Sequence, residues 1–280
     1  MNADEDMLKL MYITNDPDTA VIAQNAGVNR IFVDMEYIGK EQRQMGLNTV
    51  KNHHTLADVK ALRNVLTGAQ LLVRVNPLHN GSENEIKSVV EAGADIIMLP
   101  MWKTAQEVER FARLAGDCVK KMLLLETKEA ASCLESVLEL GCVDEIHIGL
   151  NDLRISMGKS FIFESLADGT VDKITSNIRD HGIPFGFGGF GMPGEGLLPA
   201  DLIMGEHYRL GSSMAILSRS FCDKDSFRDP DAVRARFDLG MKKIRDYECF
   251  LSAQNEDFFR KNHNAVQNRV KEILNGDAHV

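Results

Sequence analysis

An α/β fold, and within that class a (β/α)8 TIM barrel, is predicted by the order of apolar segments along the 280-residue sequence. Apolar runs too short for helices alternate with amphipathic segments that carry helix-start signals. Seven such strand-then-helix units are regular and an eighth is less so. Their spacing of about 25 to 30 residues is typical of this barrel. An open doubly wound sheet is the alternative architecture for the same alternation.

The first four units span the N-terminal part of the chain. Their strands are predicted at residues 8–14, 30–33, 70–73 and 95–101. The first helix has Asp16 as its cap before Pro17, and the second has Thr55. Capping boxes beginning at Ser82 and Thr104 predict the next two helix starts. A polar stretch at 39–54 separates the second strand from its helix, and loops of this length are commonly functional.

The last four units are less regular. The fifth and sixth strands are predicted at 122–125 and 146–148, with one helix at 130–140 between them. The seventh strand, 183–190, runs into a glycine-rich segment at 186–191. That segment predicts a tight turn with positive φ rather than a phosphate cradle. A short helix at 197–206 and a strand at 208–217 complete the eighth unit.

The chain beyond residue 228 is predicted to be helical and highly charged. Its apolar residues recur at helical spacing in two stretches, Phe237, Met241, Ile244, Tyr247 and Leu251, then Val266, Val270 and Ile273. We therefore divide the chain into a barrel over residues 1–228 and a helical extension over 229–280. The extension is predicted to pack on a neighbouring subunit. Packing beneath its own barrel is the alternative.

Composition argues against several classes of partner. The net charge of −9 and the pI near 5.4 leave no basic stripe of the kind that nucleic acid requires. No uncharged run reaches the length of about 18 residues that a membrane span needs, and the acidic N-terminus does not resemble a signal peptide. The five cysteines, an odd number without CxxC spacing, predict reduced thiols in a cytoplasmic protein.

Charged residues follow four of the predicted strands, at the point where each strand ends. They are Asp34 and Glu36 after the second strand, Arg74 after the third, Glu126 after the fifth and Asp152 shortly after the sixth. In a barrel of parallel strands these ends surround one mouth, so we expect the side chains to converge. A buried charge needs a partner or a metal ion, which makes this cluster a candidate functional site.

Glu126 and Asp152 offer oxygen ligands at neighbouring strand ends, and this donor set predicts Mg²⁺ or Mn²⁺. Two protein ligands leave positions for water and a chelating 2-oxo acid, with Arg74 beside the developing enolate oxygen. The alternatives are structural. In them, Glu126 and Asp152 are a salt-bridged acid and a helix cap, and Arg74 forms an ion pair with Asp34 or Glu36.

The strand ends lie within longer motifs: FVDME (32–36), LVRVNP (72–77), EAGADIIMLP (91–100), LET (125–127), IGLNDL (148–153) and MG (157–158). In this order and spacing, over residues 11–158, they resemble the HpcH/HpaI aldolase and citrate lyase β-subunit family. The resemblance implies a phosphoenolpyruvate/pyruvate-type barrel that makes or breaks a carbon–carbon bond beside an enolate of pyruvate or of an acyl thioester. It also implies a homo-oligomer, a trimer or a hexamer with an exchanged C-terminal helix.

The same resemblance implies roles for individual residues. Mg²⁺ would lie on Glu126 and Asp152, and Arg74 would contact the keto or enolate oxygen. Backbone amides in the segment from Gly149 to Asn151 would hold the substrate carboxylate. The full set predicted to bind substrate is Arg74, Gly149, Leu150 and Asn151, with Trp102 lining the mouth.

Proton transfer is predicted at the exit of the second strand. Where the pyruvate aldolase branch has an acid/base histidine, this chain has Tyr37, and the Gln of that branch two residues before the metal-binding Glu is Leu124 here. The predicted catalytic set is Asp34, Glu36, Tyr37 and Arg74. His53 and His54 are further candidates, with loop or cap positions as their alternative. Lys40 and Arg43 are either solvated or bind a second carboxylate or a phosphate.

Three functions are compatible with these residues. The first is a metal-dependent carbon–carbon lyase or aldolase acting on pyruvate or an oxaloacetate-like acid. The second is an acyl-CoA lyase or thioesterase of the citrate lyase type. The third is a barrel that binds a small anionic metabolite without turnover.

Overall fold

Eight parallel strands form the centre of the molecule, and each pairs with the next strand along the chain. The computed structural model describes residues 7–40, 54–222 and 229–276. The strands are β1 (Lys9–Ile13), β2 (Arg30–Asp34), β3 (Gln70–Arg74), β4 (Ile96–Leu99), β5 (Lys120–Leu125), β6 (Glu145–Ile148), β7 (Phe185–Phe190) and β8 (Met214–Leu217). β8 also pairs with β1, with Lys9 opposite Met214, so the sheet closes on itself. The predicted (β/α)8 barrel is confirmed and the open sheet is excluded.

Helices surround this barrel. They are α1 (Pro17–Asn25), α2 (Leu56–Val65), α3 (Ser82–Glu91), α4 (Ala105–Ala115), α5 (Lys128–Ser132), α6 (Leu134–Leu138), α7 (Leu150–Ser156), α8 (Glu164–Ala167), α9 (Thr170–Asp180), α10 (Ala200–Leu210), α11 (Pro230–Ser252) and α12 (Glu256–Asn275). The caps predicted at Asp16, Thr55 and Thr104 are confirmed. The capping box at Ser82 is wrong. Its hydroxyl accepts the His79 N–H instead, and Gly81 precedes the helix.

Alternate residues of the strands fill two separate cores. The side chains that point inward form a small apolar cluster of Met11, Phe32, Leu72, Ile96, Met98, Met122, Leu124 and Met214. Those that point outward pack beneath the helices in a larger cluster. Because successive side chains of a strand alternate, Asp34 and Arg74 face the interior with Phe32 and Leu72, at the C-terminal end of the barrel. We call this end the mouth.

A buried ion pair lies at the opposite end of the barrel. Arg30 donates from Nη1 and Nη2 to the two carboxylate oxygens of Glu145 at 2.6 and 2.7 Å. Its Nε donates to Gln70 at 3.1 Å. Both charged side chains are almost fully buried. We refer to Arg30 and Glu145 as the lower pair, and their bidentate geometry is the most favourable one for a buried ion pair.

The glycine-rich segment is part of strand β7 and not a turn. A Cβ on Gly186 would lie 2.2 Å from the Met214 carbonyl oxygen, so only glycine allows this approach of β7 to β8. Gly188 has a φ of 49°, and the register with β8 shifts between Gly186 and Gly189. A positive φ is thus present, but at an irregularity of the strand.

Two other predicted boundaries are wrong. Tyr208 lies in helix α10 and β8 begins only at Met214, because the buried positions before it, such as Ile203, His207 and Leu210, recur at helical spacing. The single helix predicted at 130–140 is the two short helices α5 and α6, which meet at Cys133.

The C-terminal helices pack against their own barrel. α11 packs on α1 and α10, and α12 packs on α8 and α10. The buried Glu248 of α11 accepts the Leu8 N–H at 2.7 Å, just before β1. The extension thus packs against its own barrel, and contact with a neighbouring subunit stays a prediction. All five cysteines are free. Among the described residues, no helix is both long enough and apolar enough to cross a bilayer.

Candidate functional site

The mouth is organised around the pairing of β2 with β3, which places Asp34 directly beside Arg74. Arg74 donates from Nε and Nη2 to the two oxygens of Asp34, each at 2.8 Å. Its Nη1 lies 3.4 Å from an oxygen of Glu36. The ion pair that was the structural alternative for Arg74 is thus present. It does not exclude a substrate contact, because the Arg74 side chain keeps 14% of its surface exposed.

Lys40 is a buried member of the same cluster. Its Nζ lies 2.7 Å from Asp34 Oδ2 and 3.9 Å from Glu36 Oε2, and the residue is 6% exposed. The prediction of a solvated loop charge is therefore wrong for Lys40. Arg43 and His53 lie outside the described residues.

The ion pairs fix the charge states of this part of the mouth. Burial alone would raise the pKa of Asp34, but Arg74 and Lys40 outweigh it and hold that pKa well below its usual range. Burial opposes the charge on Arg74, yet Asp34 and Glu36 raise its pKa above the ordinary value. Arg74 therefore remains a cation throughout the physiological range.

Glu126 and Asp152 form the other side of the mouth. Glu126 follows β5 and is 3% exposed, and Asp152 lies in the first turn of α7. Burial raises the pKa of Glu126 well above its usual range, and the negative charges of Asp152 and Glu36 raise it further. The charges that act most strongly on Glu126 are thus carboxylates, which argues against a salt-bridged acid. Gly149 is the N-cap of α7, so the cap predicted as the alternative for Asp152 is wrong.

Two backbone features position the Glu126 carboxylate. The Met101 N–H donates to Oε1 at 3.0 Å. On the other side, a Cβ on Gly149 would lie 2.9 Å from Oε2, so glycine leaves the space that this oxygen occupies. Neither contact was predicted from the sequence.

Among the described residues, carboxylates outnumber cations at the mouth. We define the mouth cluster as four carboxylates and two cations: Asp34, Glu36, Glu126, Asp152, Lys40 and Arg74. Within the described ranges, no group of three or more His, Cys, Asp or Glu side chains is arranged as a metal cage. Glu126 and Asp152 instead fit a hard divalent ion that takes two carboxylates and fills its other positions with water or substrate. Such an ion would neutralise the charge that raises the pKa of Glu126.

Asn76 shapes the loop after β2, and the sequence prediction missed it. Its Oδ1 accepts the N–H groups of Tyr37 and Ile38, both at 3.0 Å, and its Nδ2 donates to Glu85 at 2.8 Å. Its position two residues after Arg74 was the available signal, because alternation aims both side chains to one side. The Tyr37 side chain is 64% exposed and lies on the open side of this loop.

His54 contacts the end of β2 across the long loop. The Asp34 N–H donates to its Nδ1 at 3.0 Å. A ring nitrogen that accepts a hydrogen bond carries no proton, so the neutral ring has its proton on Nε2. In this arrangement His54 is a hydrogen-bond donor at Nε2 rather than a base.

The remaining predicted substrate residues are placed as follows. The Gly149 N–H donates to the Leu125 carbonyl at 2.9 Å, so the prediction that this amide holds the substrate is wrong. Leu150 and Asn151 begin α7, where the first amides of a helix have no partner within the helix. Trp102 is 2% exposed and packs in the outer core, which places its indole away from the open mouth.

Comparisons with known proteins agree with this architecture. The family model for HpcH/HpaI aldolase/citrate lyase matches residues 9–183, more than half of the chain. No curated protein matches the chain.

Several solved structures have a similar fold. An HpcH/HpaI aldolase/citrate lyase family protein from Burkholderia cenocepacia J2315 has a TM-score of 0.61 at 15% identity, over 82% of this chain and 95% of that chain. An HpcH/HpaI aldolase from Desulfitobacterium hafniense DCB-2 has a TM-score of 0.58 at 17% identity, over 77% and 87%. Protein CitE from Mycobacterium tuberculosis, in complex with magnesium and pyruvate, has a TM-score of 0.57 at 16% identity, over 82% and 90%. At these identities the likeness shows the fold.

Proposed function

The chain belongs to the HpcH/HpaI aldolase/citrate lyase family, and from this premise we propose that it is a divalent-metal-dependent carbon–carbon lyase or aldolase. Its substrate would be a small 2-oxo acid, pyruvate or an oxaloacetate-like acid, which reacts through an enolate. The supporting observation is that the buried Glu126 and the half-buried Asp152 lie at the same barrel mouth as Arg74. The magnesium and pyruvate named with the structure of CitE support the same chemistry.

The residues of the mouth have different roles in enolate formation. Glu126 and Asp152 would hold Mg²⁺ or Mn²⁺, which when bound supplies a Lewis acid that polarises the keto oxygen. Arg74 keeps its positive charge and stabilises the oxygen on which negative charge develops. The first amides of α7, from Leu150 and Asn151, bind the substrate carboxylate.

Glu36 is the carboxylate that we assign as base. Arg74 and Lys40 hold it at 3.4 and 3.9 Å, less tightly than they hold Asp34. Glu36 takes a proton from the carbon next to the keto group, and the electron pair of that C–H bond enters the enolate. Asp34 acts by fixing Arg74. A role for the exposed Tyr37 as acid stays a prediction.

Proton exchange tests this function without knowledge of the second substrate. The methyl protons of pyruvate should exchange into deuterated water in the presence of Mg²⁺, followed by NMR, and a chelator should stop the exchange. Asp152→Asn should abolish it. Asp144→Asn, at the opposite end of the barrel beside Lys121, is the matched control and should leave it unchanged. Binding of pyruvate without exchange would contradict a lyase acting on a 2-oxo acid, and if a malyl-like thioester also releases no free CoA, the metabolite-binding barrel is selected.

A second candidate is an acyl-CoA lyase or thioesterase. It is supported by the run from Val73 to Pro77, which is closer to the citrate lyase branch of the family than to the pyruvate aldolase branch. Release of free CoA from a malyl-like thioester, without exchange of pyruvate protons, would select it.

We further propose that the C-terminal helices contact a neighbouring subunit in a trimer or hexamer. Leu239 and Phe250 of α11 and Leu274 of α12 expose about half of their surface, at 50%, 46% and 45%. Isolated exposed apolar residues are common, but three on one extension favour a covered face. Analytical ultracentrifugation should show the oligomer, and a monomer would contradict it.

A further inference from the structure

Met101 has a backbone conformation that its side chain does not favour. Its φ is 55°, and among the described residues it is the one non-glycine with positive φ. A left-handed conformation costs an ordinary residue about 1–2 kcal/mol, so it persists where the surroundings fix it. Met101 lies directly between Pro100, which has no N–H to donate, and the buried Trp102.

This conformation directs the Met101 N–H towards the proposed metal site. The Met101 N–H reaches Glu126 Oε1 at 3.0 Å, across from the end of β4 to the end of β5. The other oxygen, Oε2, lies on the side of Gly149, the residue that precedes α7 and Asp152. The two oxygens of one carboxylate therefore have different neighbours.

A second contact holds the same two chain segments together. The Thr127 hydroxyl donates to the Trp102 carbonyl at 3.0 Å, and the Trp102 side chain is 2% exposed. Residues 101 and 102 are thus joined to residues 126 and 127 by consecutive hydrogen bonds. The buried indole anchors this connection, so the left-handed turn is imposed by packing on both sides.

We propose that Met101 is a positioning residue for Glu126. Its amide fixes Oε1 and leaves Oε2 as the oxygen that would, with Asp152, hold a divalent cation. This role rests on the proposed metal site. Hydrogen-bonding partners of metal ligands commonly contribute about 10- to 100-fold to metal affinity, and we expect an effect in that range.

Replacing one amide by an ester tests the role directly. Incorporating the α-hydroxy acid analogue of methionine at position 101 removes the N–H and keeps the side chain. The matched control is the analogous change at Leu8, whose N–H donates to the buried carboxylate of Glu248 at 2.7 Å, far from the mouth. Both changes remove one amide–carboxylate bond and should lower the melting temperature similarly.

Calorimetric titration with Mn²⁺ distinguishes the ester variant at position 101 from the ester variant at position 8. We expect the ester at 101 to weaken binding about 10-fold or more and the ester at Leu8 to change it less than about 2-fold. Equal affinities for both esters would overturn the positioning role alone. Absence of Mn²⁺ binding by the unmodified chain would overturn the metal site, and the positioning role with it.

Two ordinary substitutions give an independent test. Met101→Gly accepts the left-handed conformation and keeps the N–H, so Mn²⁺ affinity should stay within about 3-fold of the native value. Met101→Val is β-branched and opposes that conformation, so affinity should fall about 10-fold. Retained affinity in Met101→Val, with a native melting temperature, would contradict the proposal.

Discussion

The two ends of the barrel bury charges in different ways. The lower pair is complete, because both oxygens of Glu145 accept from Arg30 at 2.6 and 2.7 Å, and Lys120 adds a third, more distant contact at 3.8 Å. In the mouth cluster, Lys40 and Arg74 contact Asp34 and Glu36, whereas burial and the negative charge of Asp152 raise the pKa of Glu126.

This difference in charge pairing distinguishes a structural ion pair from a candidate functional site. A buried pair that satisfies itself stabilises one arrangement of the strands and leaves nothing for a ligand. A buried carboxylate beside a second carboxylate costs stability unless a cation binds there, and stability given up in this way is typical of functional sites. The proximity of like charges around Glu126, more than burial, therefore marks the mouth as the candidate metal site.

The largest effect is expected from breaking the lower pair. Glu145→Leu leaves the Arg30 guanidinium buried without its carboxylate, so the free energy of unfolding should fall by about 3–5 kcal/mol. Urea denaturation at pH 7 measures it. The double variant Arg30→Met with Glu145→Leu is the control and should recover much of the loss, because no charge is then left buried. A double variant no more stable than Glu145→Leu would argue against an isolated structural pair.

A smaller effect is expected from His147, which lies between the two regions on β6. Burial, with smaller contributions from Arg30 and Arg74, lowers its pKa to about 4 against the opposing effect of the hydrogen bond to Gly188. This folded-state pKa is below the unfolded value near 6.5. The contribution of the neutral His147 to the free energy of unfolding is therefore complete above about pH 6.5, and it is lost as pH falls towards 4.

The expected loss from His147 alone is about 3 kcal/mol by pH 4. His147→Gln keeps an N–H for the Gly188 carbonyl and does not titrate, so its unfolding free energy should fall less steeply over the same range. Parallel pH profiles for the native chain and the variant would contradict this assignment.

The smallest change in stability should have the opposite sign. Glu126→Gln removes a carboxylate whose ionised form is disfavoured by burial and by Asp152, and the amide oxygen can still accept the Met101 N–H. The metal-free variant should therefore be more stable than the native chain by about 1 kcal/mol at pH 7. Added Mg²⁺ should raise the melting temperature of the native chain only. If Glu126→Gln instead destabilised the chain, Glu126 would behave like the structural carboxylate Glu145, and the contrast between the two ends of the barrel would be contradicted.

Much of this architecture was predictable because local patterns carry it. Apolar runs gave the strands, and the barrel topology then brought Asp34, Arg74 and Glu126 to one mouth from distant parts of the chain. The eighth unit was predicted poorly because Tyr208 and Leu210 are apolar enough for a strand, while the helical spacing of their buried neighbours is visible only over a longer segment.

The missed features of the site depend on tertiary contacts. Nothing in the sequence around Lys40 indicates burial, because the ion pair between Lys40 and Asp34 forms only in the folded chain. The positive φ of residue 101 was not predictable, because the residue is methionine and not the glycine that usually indicates such a conformation. His54 meets Asp34 from 20 residues away, and the tautomer that this contact fixes cannot be inferred from spacing.

Calorimetric titration of the metal-free chain with Mg²⁺ and Mn²⁺, with and without pyruvate, tests most directly whether Glu126 and Asp152 form a cation site. The native chain should bind the ion, pyruvate should tighten the binding, and Glu126→Gln should abolish both effects. If neither ion binds, or if Glu126→Gln binds with native affinity, the carboxylates at the mouth are structural and the proposed lyase chemistry is contradicted.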